Sequence, residues 1–195
     1  ETWKGVCDFS RRLEIISQER VTSEIEKILT SNNPSYGLDL LRRSGCLKVI
    51  SGELYETTKI TQNKYHIGTV WEHTLEVIEK CKHKDTIVLW AALLHDMGEL
   101  KTKTIDASGA VHLIGHAEEG ARMCDGILRR FKFPVADIKL IQTLVARHMD
   151  FKSYSPDLHD LKNKKIRKLQ YQLGETQYWR LLDLVEADNM SHAPG

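Results

Sequence analysis

The chain has 195 residues, 41% of them hydrophobic, and its 28 basic and 27 acidic side chains leave a formal net charge of +1. That length allows one domain with a substantial core, or one and a small appendage, and the balanced charge excludes a global field committed to nucleic acid or a membrane surface. Cys7, Cys46, Cys81 and Cys124 are scattered without a CxxC pair, which argues against a zinc ribbon or a disulfide framework and for a reducing cytoplasm. No apolar stretch is long enough to span a bilayer, and Glu1-Thr2-Trp3-Lys4 is no signal peptide. The missing initiator Met suggests a processed or excised piece of something longer.

In chain order, Ser17 is a plausible cap for a helix to Leu29, with Glu19 in its first turn and Val21, Ile25, Ile28 and Leu29 at helical spacing. Asn33-Pro34 opens a second helix, Leu38, Leu40 and Leu41 inward and Gly45 past its end. Residues 51–68 lose periodicity and read as an ordered connection. From Thr69, His73, Leu75, Val77 and Ile78 predict a helix to about Lys82, and Asp85 caps the next, which carries His95 and Asp96. Thr102, Thr104 and Ile105 face Val111, Leu113 and Ile114 across the turn-like Asp106-Ala107-Ser108-Gly109, a short hairpin and the only sheet. His116 starts a helix to about Arg130, Phe133-Pro134 the next, ending near His148. Tyr154-Ser155-Pro156-Asp157 is a break, followed by helices over Leu161 to Leu173 and Glu175 to Asn189. The fold expected is an all-α helical bundle: residues 1–50 a helical neck or body segment, 51–68 a connection, 69–195 the main domain.

The stretch Leu89 to Glu99 organises the rest: an apolar run of helical length ends abruptly in His95, Asp96, a glycine and Glu99. A buried helix delivers polar groups into a pocket in this way, and near a helix end adjacent His and Asp side chains can splay toward one point. Further imidazole and carboxylate donors, His73, His116, His148 and Asp188, each lie in or beside a segment whose other face reads as core. Mixed nitrogen and oxygen donors suit Mn, Fe, Co, Ni or Zn, while Mg prefers more oxygen. A cation in such a cage lowers the pKa of bound water and draws charge off a phosphoryl oxygen, both of which phosphoester hydrolysis needs. Taken singly, each histidine reads as a hydrogen-bonded core or surface side chain; His112 is at best a supporting residue, and His66, His83, His159 and His192 read as solvated.

The order His, His-Asp, His, His, Asp resembles the HD superfamily of metal-dependent phosphohydrolases. The resemblance implies that His73, His95, Asp96 and Asp188 bind one divalent ion and that His116 and His148, with Asp96 bridging, bind a second when it is present. His95-Asp96-Met97-Gly98-Glu99 matches the His-Asp-x-x-Glu form of nucleotidases and alarmone hydrolases, whose glutamate helps to activate water, rather than the His-Asp-x-Gly-Lys form in which lysine faces phosphate. Glu99 is then a general base sharing a helical side with Asp96; the alternative is a surface carboxylate paired with Lys101 or Lys103. Those two lysines, and Arg147, are the candidate contacts to substrate phosphate.

The segments Ile15 to Leu29 and Asn33 to Arg42, the join through Trp71-Glu72-His73-Thr74-Leu75 and the ending Glu186 to Pro194 are similar to the neck, body and HD region of bacterial CCA-adding tRNA nucleotidyltransferases and their poly(A) polymerase relatives. No Asp-x-Asp precedes residue 17, so the polymerising head of that family is not expected here, nor is nucleotide addition. The expected activity is metal-dependent hydrolysis of a phosphomonoester or phosphodiester, on a nucleotide, a phosphorylated small molecule or a 2′,3′-cyclic RNA 3′ end. A non-catalytic body module that holds tRNA is the rival, with Lys164, Lys165 and Arg167 of the basic run from Lys162 to Lys168 as backbone contacts. A regulatory nucleotide-binding domain with a slow metal site is a third reading.

Overall fold

The computed structural model describes residues 1–61, 68–151 and 164–192. Twelve α-helices and one two-stranded sheet are present among them, so the chain is all-α, as its periodicity predicts. The break at 154–157, the start of the helix expected from Leu161, and His66 and His159 lie outside the described residues.

Helix α1 (Thr2–Asp8) and a 3-10 segment, Ser10–Ile15, precede the first helix legible in the sequence. Helix α2 (Gln18–Leu29) starts where Ser17 Oγ accepts the Arg20 amide, and it buries Val21, Ile25 and Leu29. Helix α3 (Pro34–Arg43) ends before Gly45, whose φ of +80° is the left-handed conformation that lets the chain turn directly into α4 (Cys46–Ile50). The stretch read as a connection is partly helical. Ser51 accepts the Leu54 amide and opens α5 (Gly52–Thr57), which is too short to show a period and buries only Leu54 and Thr57.

Helix α6 (Val70–Lys80) begins in a capping box: Thr69 Oγ1 accepts the Glu72 amide, and the Glu72 carboxylate accepts the Thr69 amide. It ends two residues earlier than expected because Asp183 accepts the amides of Lys82 and His83, drawing the chain out of the helix. Asp85 accepts the Ile87 and Val88 amides to start α7 (Thr86–Leu94). Every residue of α7 from Ile87 to Leu94 is buried, so this helix is apolar all round and forms the centre of the bundle. Around it pack α2, α6, α10 (Val135–Arg147) and α12 (Glu175–Met190).

Helix α8 (Glu99–Thr102) leads into the hairpin, where β1 (Thr104–Ile105) pairs antiparallel with β2 (Val111–His112), Thr104 opposite His112. Asp106 closes the turn by accepting the Ser108 and Ala110 amides, and Gly109 supplies the positive φ of +84°. Helix α9 (His116–Arg130) lies along α10, a 3-10 turn, His148–Phe151, follows α10, and α11 (Lys164–Leu173) packs on α12. No helix of the described residues is long and apolar enough to cross a membrane.

Candidate metal centre

Five separate elements deliver buried donors to one place. His73 is held in the first turns of α6 by the capping box, and Asp188 comes from the last turns of α12; His73 Nε2 lies 3.0 Å from Asp188 Oδ1. His95 and Asp96 occupy the turn after α7, where the central helix stops. His116 is the first residue of α9, just past Gly115 with φ +77°, and His148 follows the last residue of α10. All six residues are buried, none more than 6% exposed.

Three of the histidines are oriented in the same way. The Nδ1–H groups of His95, His116 and His148 each donate to the carbonyl three residues earlier, Ala92, Leu113 and Val145, at 2.8, 2.7 and 2.7 Å. This braces each ring with its Nε2 facing inward, where it can ligate an ion once unprotonated, as in histidine ligands held by their other nitrogen. His116 Nε2 and His148 Nε2 are 3.2 Å apart, and His95 Nε2 is 3.3 Å from His73 Nε2. Two unprotonated imidazole nitrogens facing each other at that distance repel unless a divalent ion, or a proton on one ring, lies between them. Two nitrogen ligands at about 2.1 Å from one ion would be about 3.0 Å apart at a right angle and about 3.4 Å apart at a tetrahedral angle, so both pairs have the spacing of co-ligands.

Asp96 joins the two groups. Its Oδ2 lies 3.2 Å from His95 Nε2 and 3.7 Å from His73 Nε2, while its Oδ1 lies 3.5 Å from both His116 Nε2 and His148 Nε2. The donor atoms of His73, His95 and Asp188, and likewise those of Asp96, His116 and His148, lie within 4.8 Å of one another. Burial raises the cost of ionising Asp96, but His95 and His148 more than offset it and hold its carboxyl well below the ordinary range. Burial likewise opposes charge on His95, yet the Asp96 carboxylate, with Asp188, pushes its pKa up to about 9. With imidazole nitrogens and two carboxylates converging, the residues fit one or two divalent ions that would displace the ring protons.

Glu99 is 2% exposed, at the start of α8, with its amide on the Asp96 carbonyl; it is not a surface carboxylate. The lysines offered as its surface partners are engaged elsewhere, Lys101 with Glu119 at 2.9 Å and Lys103 with the Thr61 carbonyl. Arg147 is half-buried, 3.3 Å from Asp150. His112 is exposed and bonds Asp106 within the hairpin, apart from the cluster. His83 is solvated as expected, its ring 3.0 Å from Asp183. The solvated reading of His192 does not hold: its side chain is 22% exposed, its ring stands edge-on to His73 at 5.6 Å, and its Nδ1–H donates to the Asp188 carbonyl at 2.8 Å. Its position four residues after Asp188 on a helical path was the signal.

Residues 64–190 match the family described as the HD domain, and residues 1–56 match the family described as the probable RNA- and SrmB-binding site of polymerase A. Among similar proteins are the A-adding tRNA nucleotidyltransferase of Deinococcus radiodurans, 34% identical over 143 residues covering 71% of this chain and 33% of the relative. The CC-adding tRNA nucleotidyltransferase of Thermus thermophilus is 34% identical over 144 residues, covering 69% and 32%. The multifunctional CCA protein of Pseudomonas fluorescens is 32% identical over 143 residues, covering 71% and 34%. The chain therefore spans about a third of the length of these curated relatives, and the similarity takes in the body and HD region without the head.

Proposed function

Because the chain belongs to the HD domain family, we propose that it is a divalent-metal-dependent phosphohydrolase acting on a phosphoester, either a nucleotide or a 2′,3′-cyclic phosphate end. The observation that carries this reading is the split of Asp96, one carboxylate oxygen toward His73 and His95 and the other toward His116 and His148. His73, His95, Asp96 and Asp188 would hold one ion, and Asp96, His116 and His148 a second. A divalent ion bound there would lower the pKa of a coordinated water and draw charge off a phosphoryl oxygen. The protein supplies the rest: braced imidazoles fix the donor positions, α7 and its neighbours exclude bulk water from behind, and Glu99 takes the proton of the attacking water. Lys101, Lys103 and Arg147, cations of the segments that follow the ligands, are the contacts proposed for a substrate phosphate, once they exchange their present partners.

Residues 1–50 serve as the helical body and 69–195 as the metal-binding domain, joined through 51–68, a division supported by the two matched ranges. The four unpaired cysteines suit a reducing, cytoplasmic setting. The match of residues 1–56 to an RNA-binding family favours a second reading, a body module that holds tRNA without hydrolysing anything. Metal content of the purified chain, with hydrolysis of bis(p-nitrophenyl) phosphate and a 2′,3′-cyclic nucleotide under added Mn, Ni or Co, separates the two. The hydrolase reading requires chelator-sensitive turnover that Asp96→Ala abolishes; turnover undiminished in Asp96→Ala sinks it.

A further inference from the structure

The three histidines held through Nδ1 lean on unequal supports. His95 donates to Ala92 inside α7 and His148 to Val145 inside α10, both residues fully buried in the core. His116 donates instead to Leu113, which lies ahead of α9 at the end of the hairpin, and its own backbone amide turns back to the same carbonyl. Between the two stand Ile114, 85% exposed, and Gly115, whose positive φ makes the turn into α9. No residue from Lys101 to Gly115 is buried. The carbonyl that orients this imidazole is therefore carried by a surface element with no core of its own.

The hairpin is held by polar contacts at its two ends. At the tip, Asp106 accepts from the Ser108 and Ala110 amides, from the Ser108 hydroxyl at 2.6 Å and from the His112 ring at 2.7 Å. At the base, Lys103 donates to the Thr61 carbonyl and hydroxyl, and Thr61 bridges to Thr69, the cap of α6. A two-stranded hairpin is marginal in water by itself, so these contacts decide whether it keeps its register and where the Leu113 carbonyl stands. His73, His95 and Asp188 stand on α6, at the end of α7 and on α12 instead.

We propose that the hairpin over 104–112 is the positioning element for His116: through the Leu113 carbonyl it sets the site of Asp96, His116 and His148 separately from the other, with Asp106 and Gly115 as positioning residues. The second ion is then the exchangeable one, and whatever tightens or loosens the hairpin regulates its occupancy. The inference rests on the reading of the cluster as a metal centre and adds to it the regulation of its second position.

The test uses the full chain and two readouts. The first needs no metal: solvent exchange of the imidazole Nδ1–H protons, followed by nitrogen-15 NMR in chelator. The His116 proton exchanges faster than those of His95 and His148, and Asp106→Ala and Gly115→Ala speed it a further tenfold or so while leaving the other two unchanged. A Cβ at Gly115 meets nothing within 4 Å, so Gly115→Ala acts through the backbone alone, and Gly115→Asn, which tolerates the left-handed conformation, restores slow exchange. The second readout is calorimetric titration of metal-free protein with Mn. Both hairpin variants keep the first ion and weaken the second by about 10-fold or more, as loss of a ligand's support does. Asp125→Ala, on the exposed side of α9, changes neither. Circular dichroism melts verify the fold. Unaltered His116 exchange in both variants, a second ion held at wild-type strength, or equal weakening of both ions overturns the proposal, as does a wild type that takes up a single ion. A wild type that takes up no ion sinks the metal-centre reading and the regulation with it, whereas unaltered His116 exchange removes the hairpin's role whatever the metal result.

Discussion

Gly98 lies against the backbone of His116 so closely that a Cβ at position 98 would fall inside the contact radius of the His116 carbonyl oxygen and 2.6 Å from the Gly120 amide nitrogen. Gly98 has an ordinary helical φ of −64°, so its glycine is required by contact with α9 and not by backbone conformation. A Cβ on Gly120 would in turn meet the Gly98 nitrogen at 3.2 Å and the His95 carbonyl oxygen at 3.3 Å. This backbone seam sets how near His116 comes to Asp96. Gly98→Ala is expected to destabilise the fold by about 1–3 kcal/mol or more and to displace His116. Gly120→Ala, the milder insult, should keep the fold and weaken the second ion selectively. Thermal melts and metal stoichiometry check both; a Gly98→Ala protein with wild-type melting and full metal would show that the seam yields freely.

The two donor groups predict separable losses. His148→Ala removes one lone pair from the group of Asp96 and His116 only, so one ion per chain should remain where the wild type holds two. Asp96→Asn should lower occupancy of both. Elemental analysis after dialysis reads each result, and equal loss from His148→Ala and Asp96→Asn would mean that the groups act as one site.

The pKa of His95, raised from 6.5 to about 9, gives opposite pH responses with and without metal. In metal-free protein the protonated ring is favoured by folding, so its stabilisation is complete below about 6.5 and is lost as pH rises through about 9. An ion needs the unprotonated nitrogen, so its apparent affinity rises across the same window. Melting temperature from pH 6 to 9.5 should therefore fall in chelator and rise, or hold, with saturating metal; parallel curves would contradict the assignment.

Burial pushes the Cys81 and Cys124 thiols up to about 12, Cys81 with help from the nearby Asp183 carboxylate. Neither should react with an aromatic disulfide reagent in the folded chain near pH 8, whereas the half-buried Cys7 should. Four thiols should titrate in denaturant. Rapid labelling of Cys81 or Cys124 in native protein would indicate that the α6–α9 core opens readily.

Elements with local signals were legible. Ser17, Thr69 and Asp85 carry caps that need only their neighbours three residues on, and Asp106 to Gly109 encode a turn within five residues. The candidate ligands were legible for a related reason, since polar residues standing in apolar segments announce themselves without coordinates. The short helices α4, α5 and α8 were not, because pieces this small bury too few side chains to show a period and are held by what packs on them. Helix α7 was recognisable as buried, but a helix apolar on every side carries no record of which neighbour meets which face.

The sequence by itself determined that the chain is helical, where its longer helices start, and that imidazole and carboxylate donors stand at the edges of core segments, all consequences of backbone chemistry acting over one or two turns. Only the tertiary structure decided that Asp96 turns one oxygen to each pair of histidines, that His192 stands against His73, and that Gly98 must have no side chain. Those depend on how α6, α7, α9, α10 and α12 cross, and crossing is set by close packing between residues far apart in the chain, which no local pattern records.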